Sequence, residues 1–274
     1  MEAEFYTATT KSRNYGYTGE NIIKKAQYGT SKELNENGDG IPTLRLNEIK
    51  DTFISEKPAK FCSKLSDAEI RSLYLRKGDV LICRTNGNAN YVGRSGIVME
   101  DTDYIFASYL YRIVPDLEKI NSETLVTFLN SKYGREQINK QSMQSNQVNF
   151  SPAKFRKISI PKICTRIQYT IAKMYSTAYT NIQNANNKYS QAENLLISEL
   201  GLENFNPSNE KVSIKTLKES FIKTGRLDSE YYQLKYDEYL KKVFSYSNGY
   251  ELLGECCNIK DKNFMPKDEA EYRY

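Results

Sequence analysis

The chain has 274 residues, 39% of them hydrophobic, with 39 Lys and Arg against 34 Asp and Glu and a mean hydropathy of -0.66. That length admits one large domain or two smaller cored units; no run nears the roughly 20 apolar residues of a spanning helix, and the opening MEAEFYTATTK lacks the apolar stretch of a signal peptide. Histidine is absent, which removes the side chain with an unperturbed pKa near neutrality, and five cysteines at 62, 83, 164, 256 and 257 show no CxxC spacing. The expectation is a cytoplasmic protein with no membrane association, no zinc site and no imidazole-based catalysis.

Residues 20–115 read as short strands broken by turns. A polar glycine loop over 35–40 leads into an alternating strand over 41–46. Ser66 or Asp67 caps a short helix that ends by Leu75, and a buried strand over 79–83 is entered through Lys77-Gly78. Further strands are expected over 95–99 and 109–114, which gives a mixed α/β domain. Between them, 87–96 is a glycine-rich loop whose spacing fits neither GxGxxG nor a P-loop. It reads either as a plain hairpin turn or as a turn that holds its asparagines, Tyr91 and Arg94 out for contact. Glu100, Asp101 and Asp103 form the tight acidic cluster of this region, and solvated acids are ordinary at such a turn. No Asn-Pro-Pro-Tyr or Asp-Pro-Pro-Tyr sequence is present to place an amino group against a methyl donor. Binding is the default expectation, with no catalytic residue and no metal ligand in the chain.

After Pro115 the pattern turns helical. A helix over 122–129, capped by Asn121 or Ser122, sets Leu125, Phe128 and Leu129 on one stripe that continues towards Ile138. A polar loop follows over 141–152, then a strand over 158–160. Charge is unevenly spread: 1–120 carries 17 basic and 17 acidic residues, 166–274 carries 15 of each, and 121–165 carries seven basic residues against Glu123 and Glu136. No acid occurs from Gln137 to Ala192. A segregated positive stretch rich in Gln, Asn and Ser suits a polyanion, phosphates attracting the cations while amides read polar edges.

From Arg166 to Leu200 the chain reads as one helix ended by Gly201, with apolar or small residues at Ile167, Ile171, Met174, Ala178, Ile182, Ala185, Tyr189, Ala192, Leu196 and Leu200, spaced by threes and fours. At 1.5 Å per residue it extends roughly 50 Å. Such a seam calls for a second helix, from another chain or another repeat; the alternative is a helix folded back on its own domain. A weak internal repeat supports the first reading: Glu2-Ala-Glu-Phe-Tyr6 is echoed by Asp228-Ser-Glu-Tyr-Tyr232, and Leu44-Arg-Leu46 by Tyr272-Arg-Tyr274. One unit finishes and a second begins.

In this order and spacing, Ala26-Gln-Tyr-Gly-Thr30, Ile41-Pro-Thr-Leu-Arg45, Leu75-Arg-Lys-Gly-Asp-Val-Leu-Ile82, Gly93-Arg-Ser-Gly96, Ala107-Ser-Tyr-Leu110, Gln147-Val-Asn-Phe-Ser151, Ile158-Ser-Ile-Pro161 and Gly225-Arg-Leu-Asp-Ser-Glu-Tyr-Tyr232 resemble the specificity subunit of type I restriction–modification systems. Full-length members carry two target-recognition domains, each followed by a long helix, the two helices pairing as a spacer. The resemblance implies an α+β fold: a recognition domain over 1–164, a spacer and dimerisation helix over 165–201, a connector over 202–225 and the start of an incomplete second repeat over 226–274. The chain would then be a half-subunit or a truncated form.

The implied function is recognition of a bipartite target in double-stranded DNA on behalf of methyltransferase (modification) subunits and a restriction/translocase subunit. The cofactors S-adenosylmethionine, ATP and Mg would sit on those partners and none on this chain. Self-association, or pairing with a second half-subunit, would run through the long helix. Base-edge contacts are expected from Arg45, Asn47, Arg84, Thr85, Asn86, Asn88, Asn90, Tyr91, Arg94, Gln144, Ser145, Asn146, Gln147 and Asn149, and phosphate contacts from Lys132, Arg135, Lys140, Lys154, Arg156 and Lys157. Two alternatives remain: the recognition module of a type II enzyme with fused methyltransferase and nuclease, and a free-standing metal-dependent nuclease using Asp101 and Asp103.

Overall fold

The structure, a computed structural model, describes residues 16–50, 52–54, 57–142, 148–210 and 212–257, and the chain divides into two units, 1–184 and 185–274. In chain order the first unit runs β1 (Tyr17–Thr18), α1 (Gly19–Ile22), β2 (Ile23–Tyr28), β3 (Ile41–Leu44), β4 (Ile49–Lys50), β5 (Phe53–Ile54), β6 (Phe61–Cys62), α2 (Asp67–Leu73) and β7 (Val80–Cys83). It continues with β8 (Ser95–Ile97), β9 (Ile105–Phe106), β10 (Leu110–Pro115), α3 (Ser122–Asn130), α4 (Lys132–Ser142), α5 (Pro152–Phe155), β11 (Ser159–Ile160) and the first part of α6 (Thr165–Glu199). The mixture of sheet and helix with one long helix is the expected α+β class.

Val80, Leu81, Ile82 and Cys83 are all buried, because both faces of their sheet are covered. Successive side chains of a strand point to opposite faces, so Val80 and Ile82 enter one apolar cluster with Tyr111, Leu125, Leu129 and Ile138. Leu81 and Cys83 enter a second with Leu44, Leu75, Phe106 and Leu110. A strand covered on both sides reads as an unbroken apolar run. The main sheet has the order β2-β10-β7-β8-β5-β4; β3 lies between β6 and β9 in a smaller sheet, and β1 pairs with β11. β10 is antiparallel to both neighbours, Tyr111 standing opposite Tyr28 on one side and Ile82 on the other. The C-terminal ends of β2 and β7 and the N-terminal ends of β10 and β8 therefore meet at one end of the sheet.

A buried ion pair braces this sheet against α2. Arg112 of β10 donates to Asp79 at 2.9 Å, to the Tyr74 and Ser72 carbonyls at 2.7 Å each and to Gln27, while Asp79 also accepts from the Arg76 N–H at 2.9 Å. Both charged side chains are about 5% exposed, and the added bonds offset much of the cost of burying such a pair, although the Arg112 Nε has no partner.

Helix caps fall where the sequence signals them. Ser66 accepts from the Glu69 N–H at 3.3 Å, and the Glu69 carboxylate returns to the Ser66 N–H at 2.8 Å. Asn121 caps α3 by accepting from the Thr124 N–H at 2.9 Å. The stripe expected to run unbroken towards Ile138 is instead split: Ser131 is extended, its hydroxyl bonding the Phe128 carbonyl at 2.7 Å, and α4 begins after it. In the expected 41–46 strand, β3 ends at Leu44 and a 3-10 turn covers Leu46–Glu48, because the Glu48 carboxylate reaches back to the Arg45 N–H at 2.7 Å. Of the expected 141–152 loop, Gln141 and Ser142 finish α4, and Pro152–Phe155 forms α5 behind a Ser151 cap.

α6 is 35 residues long. Its base is tied to the α3 cap, the Asn121 amide donating to the Gln168 carbonyl at 3.0 Å and the Asn121 N–H to the Gln168 side chain at 2.7 Å. Tyr175 and Tyr179 then lie against Phe53, ring centroids 5.5 and 5.9 Å apart, and with Ile182 they pack on the first cluster. The expected ten-residue seam is thus divided. Ile171 and Ile182 are half-buried and Ile182 serves this unit's own core, whereas Ile167, Met174, Ala178, Ala185, Tyr189, Ala192 and Leu196 remain exposed.

The second unit holds the remainder of α6, a helical turn over Lys218–Ile222, α7 (Leu234–Phe244) and α8 (Leu253–Cys256). Phe205 meets Tyr239 edge-on at 5.2 Å, Phe244 stacks on Tyr250 at 4.3 Å, and Tyr246 donates to Glu199 at 2.9 Å. Arg226 pairs with Asp228 at 2.7 Å and lies 4.5 Å over Tyr231. None of its described residues is fully buried. The repeat segments 2–6 and 272–274 lie outside the described residues. No helix among the described residues is long and apolar enough to cross a membrane.

Candidate nucleic-acid interface

The sheet end defined above gathers most of the residues expected to read bases. Arg84 follows β7 directly, with its main chain held on both sides: its N–H donates to the Tyr109 carbonyl at 2.8 Å and its carbonyl accepts from the Phe150 N–H at 2.8 Å. Thr85 bridges to Asn149, and the Thr85 hydroxyl reaches the Val148 carbonyl at 3.4 Å. The Arg84 guanidinium stands 5.4 Å over the Tyr28 ring, and Arg94, entering β8, stands 5.6 Å over Tyr91.

The loop between them is shaped by its own asparagines. Asn86 accepts from the Asn88 N–H at 2.9 Å, and Asn88 accepts from the Asn90 N–H at 3.0 Å, so two of the three side chains turn the backbone by local bonding. Gly93 closes the loop at φ +77°, and a Cβ there would lie 2.4 Å from Ile138 Cγ2. Only glycine accepts that backbone at that distance. Beneath the loop, Arg135 donates to the Asn90 carbonyl at 3.0 Å, and burial holds its guanidinium below its usual pKa. Arg135, an expected phosphate contact, thus lies half-buried beneath the loop and bonds its main chain.

Other expected contacts are likewise committed. Arg45 is paired with buried Glu48 at 3.2 Å, with exposed Asn47 beside it, and Arg156 pairs with Glu20 at 2.7 Å. Lys154 donates to the Asn149 carbonyl at 2.9 Å, and burial lowers its pKa. Lys132 and Lys157 are exposed, and Lys140 is half-buried. Gln144, Ser145, Asn146 and Gln147 lie outside the described residues. In the acidic cluster, Asp101 accepts from the Lys77 N–H at 2.9 Å and sits 3.7 Å from Arg76. No three His, Cys, Asp or Glu side chains converge as metal ligands among the described residues.

A curated relative matches this chain. The specificity subunit of the type I restriction enzyme EcoKI from Escherichia coli (strain K12) is 22% identical over 181 residues, covering 60% of this chain. The chain is similar to a type I restriction specificity subunit. It spans 39% of that relative's length. Two solved structures align as well. One, described as bearing on complex assembly and conformational transition of the type I R-M system, has a TM-score of 0.44 at 18% identity over 65% of this chain and 40% of its own. The HsdS subunit from Thermoanaerobacter tengcongensis has a TM-score of 0.40 at 16% identity over 61% and 37%. No family model matches the chain.

In this specificity-subunit-like chain the sequence reading missed two aromatic residues at the sheet end, Tyr28 and Tyr109, which are 46% and 61% exposed. Both lie within segments that carry the resemblance, but their meeting with Arg84 depends on β10 lying between β2 and β7. The usable signal was the excess of tyrosine in a chain without tryptophan, 22 against none.

Proposed function

We propose that the chain is the DNA-reading component of a type I restriction–modification complex, and that the sheet end formed by β2, β7, β8 and β10 is its reading surface. The observation that carries this is the pair of arginines, Arg84 and Arg94, lying on tyrosine rings rather than in carboxylate pairs, beside an asparagine loop. Arg offers a bidentate donor fork to guanine, and Asn a donor–acceptor pair to adenine. The likeness to the EcoKI specificity subunit supports the same reading. Thr85, Asn86, Asn88, Asn90, Tyr91 and Asn149 would share the base contacts, while Lys132, Lys140 and Lys157 supply phosphate attraction in the acid-poor stretch.

Partner subunits would bring the methyl donor and nucleotide chemistry, so this chain would contribute recognition and no catalytic group. The exposed stripe Met174, Ala178, Ala185, Tyr189, Ala192 and Leu196 on α6 supports pairing with the α6 of a second copy, which would set two half-sites at a fixed separation. In domain terms, 1–164 would recognise, 165–201 would space and pair, and 202–274 would connect to and begin another repeat.

Co-expression with type I modification subunits, followed by sequencing of methylated adenines, tests the proposal. Methylation confined to one recurrent motif, and lost when this chain is omitted, is the expected result. Methylation that does not depend on this chain would overturn it.

A further inference from the structure

Among the described residues, Arg45, Arg76, Arg112 and Arg156 of the first unit pair with carboxylates, Glu48, Asp101, Asp79 and Glu20 respectively. Arg84 and Arg94 have none and lie on tyrosines. Of these two, Arg84 has the firmer seat. Tyr91 belongs to a loop turn, whereas Tyr28 is the last residue of β2, held in register opposite Tyr111, and the two rings meet edge-on at 6.4 Å with Tyr111 fully buried below.

The chain can leave β2 immediately after Tyr28 because Gly29 follows; a Cβ there would lie 2.3 Å from the Phe106 carbonyl oxygen and 2.4 Å from that of Ala107. Tyr109, 61% exposed and immediately before β10, fixes the Arg84 N–H through its own carbonyl at 2.8 Å. A guanidinium whose one face rests on a ring keeps its edge donors in a single plane, and little side-chain freedom remains to be lost on binding.

We infer that Arg84 is a guanine-reading contact and that Tyr28 is its positioning residue, with the target's base edge meeting the Arg84 fork beside Tyr109; this rests on the DNA-reading function proposed above. A phosphate contact by Arg84 would not need an aromatic seat, since a phosphate accepts a point charge from many directions.

The experiment uses the full 274-residue chain and duplexes that it recovers from a randomised pool. These are permuted one position at a time, and binding is measured over a range of salt. Arg84→Lys keeps the charge and loses the fork: discrimination at one guanine position should fall about tenfold to a hundredfold, with affinity for unrelated duplexes and the salt slope unchanged. Tyr28→Leu should weaken discrimination at that same position, and Tyr28→Phe should retain it. Arg84→Ala removes the charge as well: equal loss across all duplexes with a salt slope lower by about one would make Arg84 a phosphate contact and overturn the inference, as would unchanged discrimination in Arg84→Lys or Tyr28→Phe behaving like Tyr28→Leu. Where Tyr28→Leu proves unfolded by circular dichroism, Arg84→Lys decides. A wild-type chain that enriches no motif removes the DNA reading itself, whereas an enriched motif indifferent to Arg84 removes only this inference.

Discussion

Arg112 and Asp79 are nearly inaccessible, and each has further hydrogen-bond partners, Arg112 the Tyr74 and Ser72 carbonyls and Asp79 the Arg76 N–H. Removing one charge leaves its partner buried and uncompensated, so Asp79→Ala should lower stability by about 3 to 5 kcal/mol in urea unfolding; a loss below about 1 kcal/mol would mean that water reaches the pair. Cys83 is also fully buried, and burial pushes its thiol up to about 11 from an ordinary 9.0. Below pH 9 the thiol is neutral both folded and unfolded, so its contribution is intact. Above pH 9 the unfolded thiol ionises while the folded one does not, and stability is lost until the pH passes about 11. Wild type should therefore lose about 2 kcal/mol more than Cys83→Ala between those limits, measured as the difference between their pH–stability curves; parallel curves would contradict it. Local signals were legible at this scale: Ser66 and Asn121 cap helices three residues on, within reach of a sequence window. The Tyr28–Arg84 contact was not, since a strand from elsewhere in the chain carries one to the other.

At the scale of elements, the loop after β7 is held by glycine and by Arg135. Gly93→Ala forces a side chain onto a left-handed backbone and into Ile138, which should cost about 1 to 3 kcal/mol and disturb the Arg94–Tyr91 seat; unchanged thermal unfolding would show that the loop yields. α6 was legible in length but not in allegiance. Periodicity counts apolar positions and cannot say which side faces the chain's own core, so the tyrosines at 175 and 179, omitted from the expected seam, turned out to hold the helix to Phe53. The residues left exposed make a separate prediction. Met174→Lys combined with Tyr189→Lys should leave unfolding of the first unit unchanged while abolishing self-association in sedimentation equilibrium; retained dimers would place the pairing surface elsewhere. The split between α3 and α4 at Ser131 was missed for a related reason, the apolar stripe continuing across a serine that bonds backward to Phe128.

For the molecule as a whole, the total charge of +5 says little, whereas residues 137–184 of the acid-free run that extends to 192 belong to the same unit as the sheet end. Several of that unit's cations also bond within the fold, Arg45 to Glu48, Arg135 to the Asn90 carbonyl, Lys154 to the Asn149 carbonyl and exposed Arg156 to Glu20. The proposed reading surface predicts a moderate salt dependence carried by the lysines and arginines of 121–165 and a sequence preference carried by Arg84, Arg94 and the asparagine loop. Selection from a pool of random duplexes by the purified full-length chain tests this most directly. The account predicts a recurrent motif containing guanine, and loss of that motif when Arg84 and Arg94 are both changed to Ala, with residual non-specific binding intact. Recovery of an unenriched pool by the wild-type chain, at salt low enough for binding, would contradict it.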